Sequence, residues 1–474
     1  MSPLLTRRIA RGGRPLLAIV AGSLALKLLL IWMVAEMPCS HDQCDYLDLA
    51  DGILAGEGLR AHDGYLWPPG LPYFLAVCRG LLGESLTPTR ILLALASSAT
   101  VPLVFFLGLR LYDRRAGLAA AAVFAFYPNL VAFTHYLWPG SIYIFWFVLG
   151  FALLVRSPST SLREAIAAGL CLGVAALFKG MALLFVPLAA LWLVWRGGAG
   201  PDAAEPGGDM EELDAAPART APAGRARLVV ALGLVGASLL PVLPWAARNW
   251  VTYQRFLLVD ATSGRNLYIG TNVPPPSNWD YGFDERRRVH GGRPRCSDEN
   301  IVDRDRCEVR NGLAFIASHP GLMLARIPLK MADLLNPSSF LVRHARLGKY
   351  PHLFAPWEIG LLTLVAALAW MVVAALGWAG LVLLPGAPGR RLLIILLAYH
   401  LAIHAVTFGM TRFRLPMVPF LVVAAAPLLT RPWGPLLKGS PAWRAALAAG
   451  GVLLLILLWA SRWRQVFDVF LPSG

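Results

Sequence analysis

The sequence predicts an all-α polytopic membrane protein, and three observations carry that prediction. Hydrophobic residues fill 57% of the 474 positions and charged residues 15%, with a mean hydropathy of +0.58. Apolar runs long enough to cross a hydrocarbon core, about 20 helical residues each, recur along nearly the whole chain. Lipid leaves no water for backbone polar groups, so such runs have to be helical. The Arg and Lys residues sit in short clusters between the runs. The net charge of +15 therefore reads as membrane orientation and contact with anionic lipid, not as a continuous basic face for nucleic acid.

Eleven spans are expected: 16–35, 90–112, 116–133, 138–155, 162–178, 181–195, 228–245, 357–383, 392–409, 415–429 and 445–461. The N-terminal TRRIARGGRP resembles a signal-peptide leader, but no small-residue cleavage site precedes Cys39, so the first run is expected to stay as an uncleaved span. With the N-terminus in the cytoplasm, the clusters Arg7 to Arg14, Arg110 to Arg115, Arg156 to Arg163 and Arg390 to Arg391 all fall inside. The opening loop, 36–89, and a larger loop, 247–356, then fall outside. Residues 197–226 are cytoplasmic, rich in Ala, Gly, Pro and acids, and are expected to form a disordered linker.

The opening loop packs Asp42, Asp45, Asp48 and Asp51 into ten residues beside a membrane, where carboxylates are costly unless a solvated site uses them. Residues 43–54 alternate as an amphipathic helix, with the acids on its wet face. Trp67, Pro68 and Pro69 set up a second helix over 70–82, because proline is preorganised for a first helical turn. His62 and Tyr65 lie between the two helices, in a cleft. Asp42 is either a solvated loop acid followed by the interfacial Tyr46, or a base that takes the proton of an attacking hydroxyl.

Arg412 and Arg414 add positive charge on the outer side, against the orientation rule. They read as a snorkelling pair or as a clamp for a lipid phosphate, which the guanidinium fork suits. Arg248, in PWAARNW, and the stretch TSGRNLYIGTN with Asn266, Tyr268 and Asn272 are turns or the lining of a site for a hydroxyl-rich ligand. Lys179 and Lys330 are snorkelling cations or further phosphate ligands. Four outer cysteines suggest two local bridges, Cys39 to Cys44 and Cys296 to Cys307. Zinc is the competing reading, but CxxC is missing. A GxxxxGK[ST] loop, a GxSxG elbow and HExxH are missing too, which removes most of the weight from ATP-driven transport and metalloprotease chemistry.

Asp42 to Tyr46 spaced as Asp-x-x-x-Tyr, WPPGLPYF, YPNLVAF, PWAARN, GRNLYIGTN, HPGLMLARIPLK and TRFRLPMVPF occur in that order. Together they resemble the GT-C membrane glycosyltransferases, of the family 39 type that includes the protein O-mannosyltransferases and the aminoarabinose transferase of lipid A. The resemblance implies one GT-C transmembrane domain over 1–474 and an inverting transfer from a polyprenyl-phosphate sugar to a hydroxyl of a lipid, polysaccharide or protein. It puts the site on the periplasmic side of a bacterial inner membrane. It implies Asp42 as base, an arginine at the position of Arg412 or Arg414 on the lipid phosphate, and no cofactor, a divalent metal being optional. Many relatives carry an acid where this chain has His135, so Asp45 or His135 is expected to stand in. A lipid-linked sugar flippase is the alternative.

Overall fold

A computed structural model describes residues 13–34, 37, 39, 42–62, 65–157, 159–195, 224–271, 296, 300–346, 355–384, 388–438 and 440–463. The linker expected over 197–226 falls almost wholly outside the described residues. In order, the helices are α1 (Gly13–Met33), α2 (Asp42–Leu54), α3 (Gly70–Leu82), α4 (Leu86–Leu111), α5 (Arg114–Ala125), α6 (Pro128–Ala132) and α7 (Gly140–Leu154). Then follow α8 (Leu162–Phe178), α9 (Met181–Trp195), α10 (Gly224–Leu239), α11 (Leu243–Tyr253), α12 (Ser263–Thr271), α13 (Ile301–Ser318) and α14 (Pro320–Leu334). The last are α15 (Phe340–Arg346), α16 (Pro356–Leu383), α17 (Pro388–Val406), a 3-10 turn (Thr411–Met417), α18 (Val418–Thr430), α19 (Trp433–Lys438) and α20 (Ala442–Ser461). The only β-type pairings among the described residues are the isolated bridges His62 to Tyr65 and Leu66 to Ala261.

Local chemistry sets many of the helix ends. The Ser85 hydroxyl accepts from Thr87 N–H to start α4, the Asp113 carboxylate accepts from Ala116 N–H to start α5, and Ser161 with Glu164 forms a capping box for α8. The amphipathic helix expected over 43–54 forms as α2, one residue earlier, and the helix expected over 70–82 forms as α3.

The expected count of eleven spans is not confirmed by helix length and composition. Six described helices, or eight if two bent pairs are each counted once, are long and apolar enough to cross a membrane. Proline accounts for several of the differences. Tyr127 is extended before Pro128 and splits the expected third span into α5 and α6. The break between α10 and α11, a bend of 48°, holds Pro241. The α13–α14 pair turns by 106° where Pro320 follows His319. Helices α7 and α9 have 15 residues each, about 22 Å of rise against a core of about 30 Å.

The main core joins α4, α5, α7, α8, α9 and α18. Helix α8 lies directly on α10, because a methyl group at Gly173 would overlap the Ser238 carbonyl. Helix α18 is buried at every position from Val418 to Leu428, as a central element should be. Trp370 of α16 and Trp459 of α20 both donate to the Leu335 carbonyl, at 2.8 and 2.9 Å, tying the last helix to the end of α14.

Candidate functional site

A cavity of about 120 Å³ runs between α2, α4, α7 and the 3-10 turn. Its walls are largely apolar, built from residues such as Phe124, Leu130, Phe133 and Ile144, with the hydroxyls of Ser97, Thr100, Ser141 and Tyr143 among them. Three charged side chains meet in it: Asp42, Lys179 and Arg412.

Asp42 and Arg412 are 370 positions apart, and Arg412 Nη1 donates to Asp42 Oδ2 at 2.7 Å. The Arg412 guanidinium lies over three rings, 5.2 Å from Trp138, 5.5 Å from Phe340 and 5.5 Å from Phe413. Such a cage fixes the plane of the fork and costs little rotamer entropy on binding. The pair is partly open, with side-chain exposures of 21% for Arg412 and 31% for Asp42, so a ligand can reach both.

Lys179 follows α8 directly, and its ammonium sits 5.2 Å from the Phe413 ring and 5.8 Å from Tyr143. No carboxylate pairs with it among the described residues. Burial, with the nearby Arg412 charge adding to it, pulls its pKa down to about 8. Two cations and one carboxylate therefore share the cavity, and one cation lacks a counter-ion.

The sequence places these groups through local structure. Asp42 opens α2, where the helix dipole favours a carboxylate. The Cys39 to Cys44 bridge closes the chain around it, with Cα atoms 5.2 Å apart. The Gln43 side chain accepts from Leu137 N–H at 3.2 Å, which fixes α2 to the turn before α7. Arg90 is buried and donates to the carbonyls of Val34, Met37 and His135 at 2.9, 2.9 and 3.1 Å. It was expected only as the start of a span, yet it holds the opening loop against the α6–α7 turn. Tyr46, one turn after Asp42, lines the cavity beside Trp67, and burial with the Asp42 charge keeps its phenol protonated.

Other expected site residues lie elsewhere. Arg414 is fully buried behind the 3-10 turn, where it donates to the Asn336 and Ser338 carbonyls and stacks 4.2 Å from Trp370. Arg248 donates to the Leu59 carbonyl and lies over Trp245. Lys330 donates to the carbonyls of Ala405 and Val406 at 3.2 and 2.8 Å, closing the C-terminal end of α17. None of the three lines the cavity; each answers backbone carbonyls instead.

His135 is buried at the α6–α7 turn, and burial next to Arg90 and His344 lowers its pKa to about 3. Asp45 pairs with His62 at 3.6 Å outside the cavity. Neither His135 nor Asp45 stands beside Asp42 in the cavity wall. Tyr65 stacks on Trp67, 5.0 Å between centroids, and so supports the cavity without lining it. Asn266 and Tyr268 belong to α12, away from the cavity lining, and Asn272 lies outside the described residues. The Cys296 to Cys307 bridge ties residue 296 to α13.

Sequence reasoning missed the aromatic cage of Trp138, Phe340 and Phe413. It also missed Asp260, whose carboxylate occupies the space that a methyl group at Gly180 would take. Burial raises the pKa of Asp260. The signal for the cage was the aromatic flanking of each turn, WPGS and TRFR, which a single sequence cannot tell from interfacial anchoring.

The family model of the dolichyl-phosphate-mannose-protein mannosyltransferases matches residues 67–203. No curated protein matches the sequence. Among solved structures, the oligosaccharyltransferase AglB of Archaeoglobus fulgidus, in complex with an inhibitory peptide and a dolichol-phosphate, is 14% identical, covering 95% of this chain and 56% of its own, with a TM-score of 0.50. The same enzyme in complex with Zn and sulfate is 15% identical, covering 94% and 52%, also at 0.50. ArnT of Cupriavidus metallidurans bound to undecaprenyl phosphate is 15% identical, covering 96% and 76%, at 0.49. The chain spans about half the length of the AglB chains it matches, and likeness at such identities is likeness of fold. The chain thus shares its fold with these membrane enzymes over nearly its whole length, and the mannosyltransferase family model matches it over residues 67–203.

Proposed function

We propose that the chain is an inverting glycosyltransferase that moves a sugar from a polyprenyl-phosphate donor to a hydroxyl acceptor. The observation that carries the reading is the convergence of Arg412 and Lys179, one of them without a counter-ion, on a cavity that also holds Asp42. A lipid phosphate brings the anion that this arrangement lacks, and the apolar walls suit the first part of its chain. The dolichol-phosphate in the AglB complex supports a donor of the same chemical class. The charge clusters between the spans favour the opposite, periplasmic face of a bacterial inner membrane for the site.

In this reading the acceptor hydroxyl oxygen bonds to the anomeric carbon while the bond from that carbon to the phosphate oxygen breaks. The hydroxyl proton passes to Asp42, and the bonding electron pair leaves with the polyprenyl phosphate. Attack opposite the leaving group inverts the configuration. Arg412 and Lys179 meet the charge that develops on the phosphate, in place of a general acid. The Asp42–Arg412 pair adds an order of events. Arg412 occupies Asp42 Oδ2, and a phosphate that draws Arg412 to itself frees that oxygen to accept the proton. Thus the donor binds first and the base becomes competent only beside it.

The test is reconstitution of the protein with a polyprenyl-phosphate sugar and hydroxyl acceptors. Transfer is expected with inversion, and Asp42→Asn is expected to lower it about 10²- to 10⁴-fold. Lipid translocation without transfer contradicts the reading, and full activity in Asp42→Asn contradicts the choice of base.

A further inference from the structure

The buried arginines among the described residues answer backbone carbonyls, with one exception. Arg90 spends its nitrogens on three carbonyls and Arg414 on two. Arg326 on α14 is equally buried, at 4% exposure. Among the described residues its Nε and Nη1 have no hydrogen-bond partner and no carboxylate pairs with it. Lys330, one turn further along the same face, does not help: it is a second cation and its ammonium already serves the end of α17. A guanidinium taken out of water without acceptors costs more than the bonds of a satisfied one return. The missing component is an anion.

The surroundings narrow its kind. Arg326 lies just past the 106° elbow between α13 and α14. Its guanidinium is 5.8 Å from the Phe315 ring, and Phe315 stacks on His319 at 4.4 Å. The Ser318 hydroxyl is hydrogen-bonded to the His319 ring. Around this polar turn, Leu313, Leu322, Leu324 and Leu329 are exposed. A soluble anion would leave that apolar flank in water, whereas a phosphate carried on a lipid covers it with its chains. None of these residues lines the Asp42 cavity.

We infer that the α13–α14 elbow is a second anion site, in which Arg326 takes the phosphate of a membrane lipid while the exposed leucines take its hydrocarbon. The inference does not rest on the transferase reading. Both a phospholipid, as a phosphodiester, and a polyprenyl phosphate, as a monoester, carry the required chemistry.

Equilibrium binding to the full-length protein in nanodiscs tests it, with three probes: a short-chain phosphatidylglycerol, a polyprenyl phosphate and inorganic phosphate. Arg326→Gln is expected to weaken one of the two lipids about tenfold to a hundredfold. Arg326→Lys, which keeps the charge, is expected to restore most of the affinity and guards against a misfolded Gln variant. Whichever lipid shows the Arg326-dependent loss identifies the source. Arg412→Gln, which acts at the cavity, is expected to leave the Arg326-dependent component in place. Equal binding of both lipids by wild type and Arg326→Gln overturns the inference. So does inorganic phosphate that matches the lipids, since the leucine flank would then contribute nothing.

Discussion

The front and back of the 3-10 turn Thr411–Met417 form two regions built from one motif, TRFR, and they use arginine in opposite ways. In front, Arg412 faces an open cavity, an acid and three rings. Behind, Arg414 is sealed between the Asn336 and Ser338 carbonyls and the Trp370 face. The front cation can exchange its partner for a ligand, because its carboxylate partner is also half in water. The back cation cannot, because leaving would strand two buried carbonyls. Charge and position in the sequence do not separate the two roles; the partner and the exposure do.

Substitution separates them. Arg412→Gln is expected to lower transfer about 10²- to 10³-fold, as for loss of a preorganised donor to the leaving group. The melting temperature should move little, since a partly open ion pair is worth on the order of 1 kcal/mol. Arg414→Gln is expected to do the reverse in kind: a loss of about 3 kcal/mol of stability in thermal or denaturant unfolding, with the turnover of the folded fraction largely kept. Should both variants lose activity without loss of stability, the contrast between front and back fails.

Lys179 sharpens the front region. A phosphate binds the ammonium form, whose pKa in the unliganded protein is about 8. Donor affinity is therefore expected to be flat below about pH 8 and to fall above it, by no more than about tenfold per pH unit. Lys179→Gln should raise the donor KM about tenfold and abolish that step in the KM profile. The smallest effect expected is that of EDTA: with two cations meeting the leaving phosphate, chelation should leave the initial rate within about twofold.

Much of the fold was legible because membrane helices announce themselves through composition. The apolar runs, the amphipathic face of α2 and the proline-started α3 follow from period and from proline chemistry alone. The number of spans did not follow, because α5, α7 and α9 are too short to be scored by length and the breaks at Pro128 and Pro241 interrupt apolar runs that look continuous. In the site, Asp42, Tyr46, Lys179 and Arg412 were legible as candidate residues. Their meeting was not, since Asp42 and Arg412 come together only through the packing of α2 beside the 3-10 turn. The same holds for the other cations. Arg248, Arg414 and Lys330 look like site cations in sequence, and only the carbonyls of Leu59, Asn336, Ser338, Ala405 and Val406 around them reveal struts.

A structure of the protein with a bound polyprenyl phosphate tests the central claim most directly. Phosphate density between Lys179 and Arg412, within hydrogen-bond reach of both and with the Asp42–Arg412 contact loosened, is the predicted result. Phosphate bound away from both cations, with Asp42 still paired to Arg412, would contradict it.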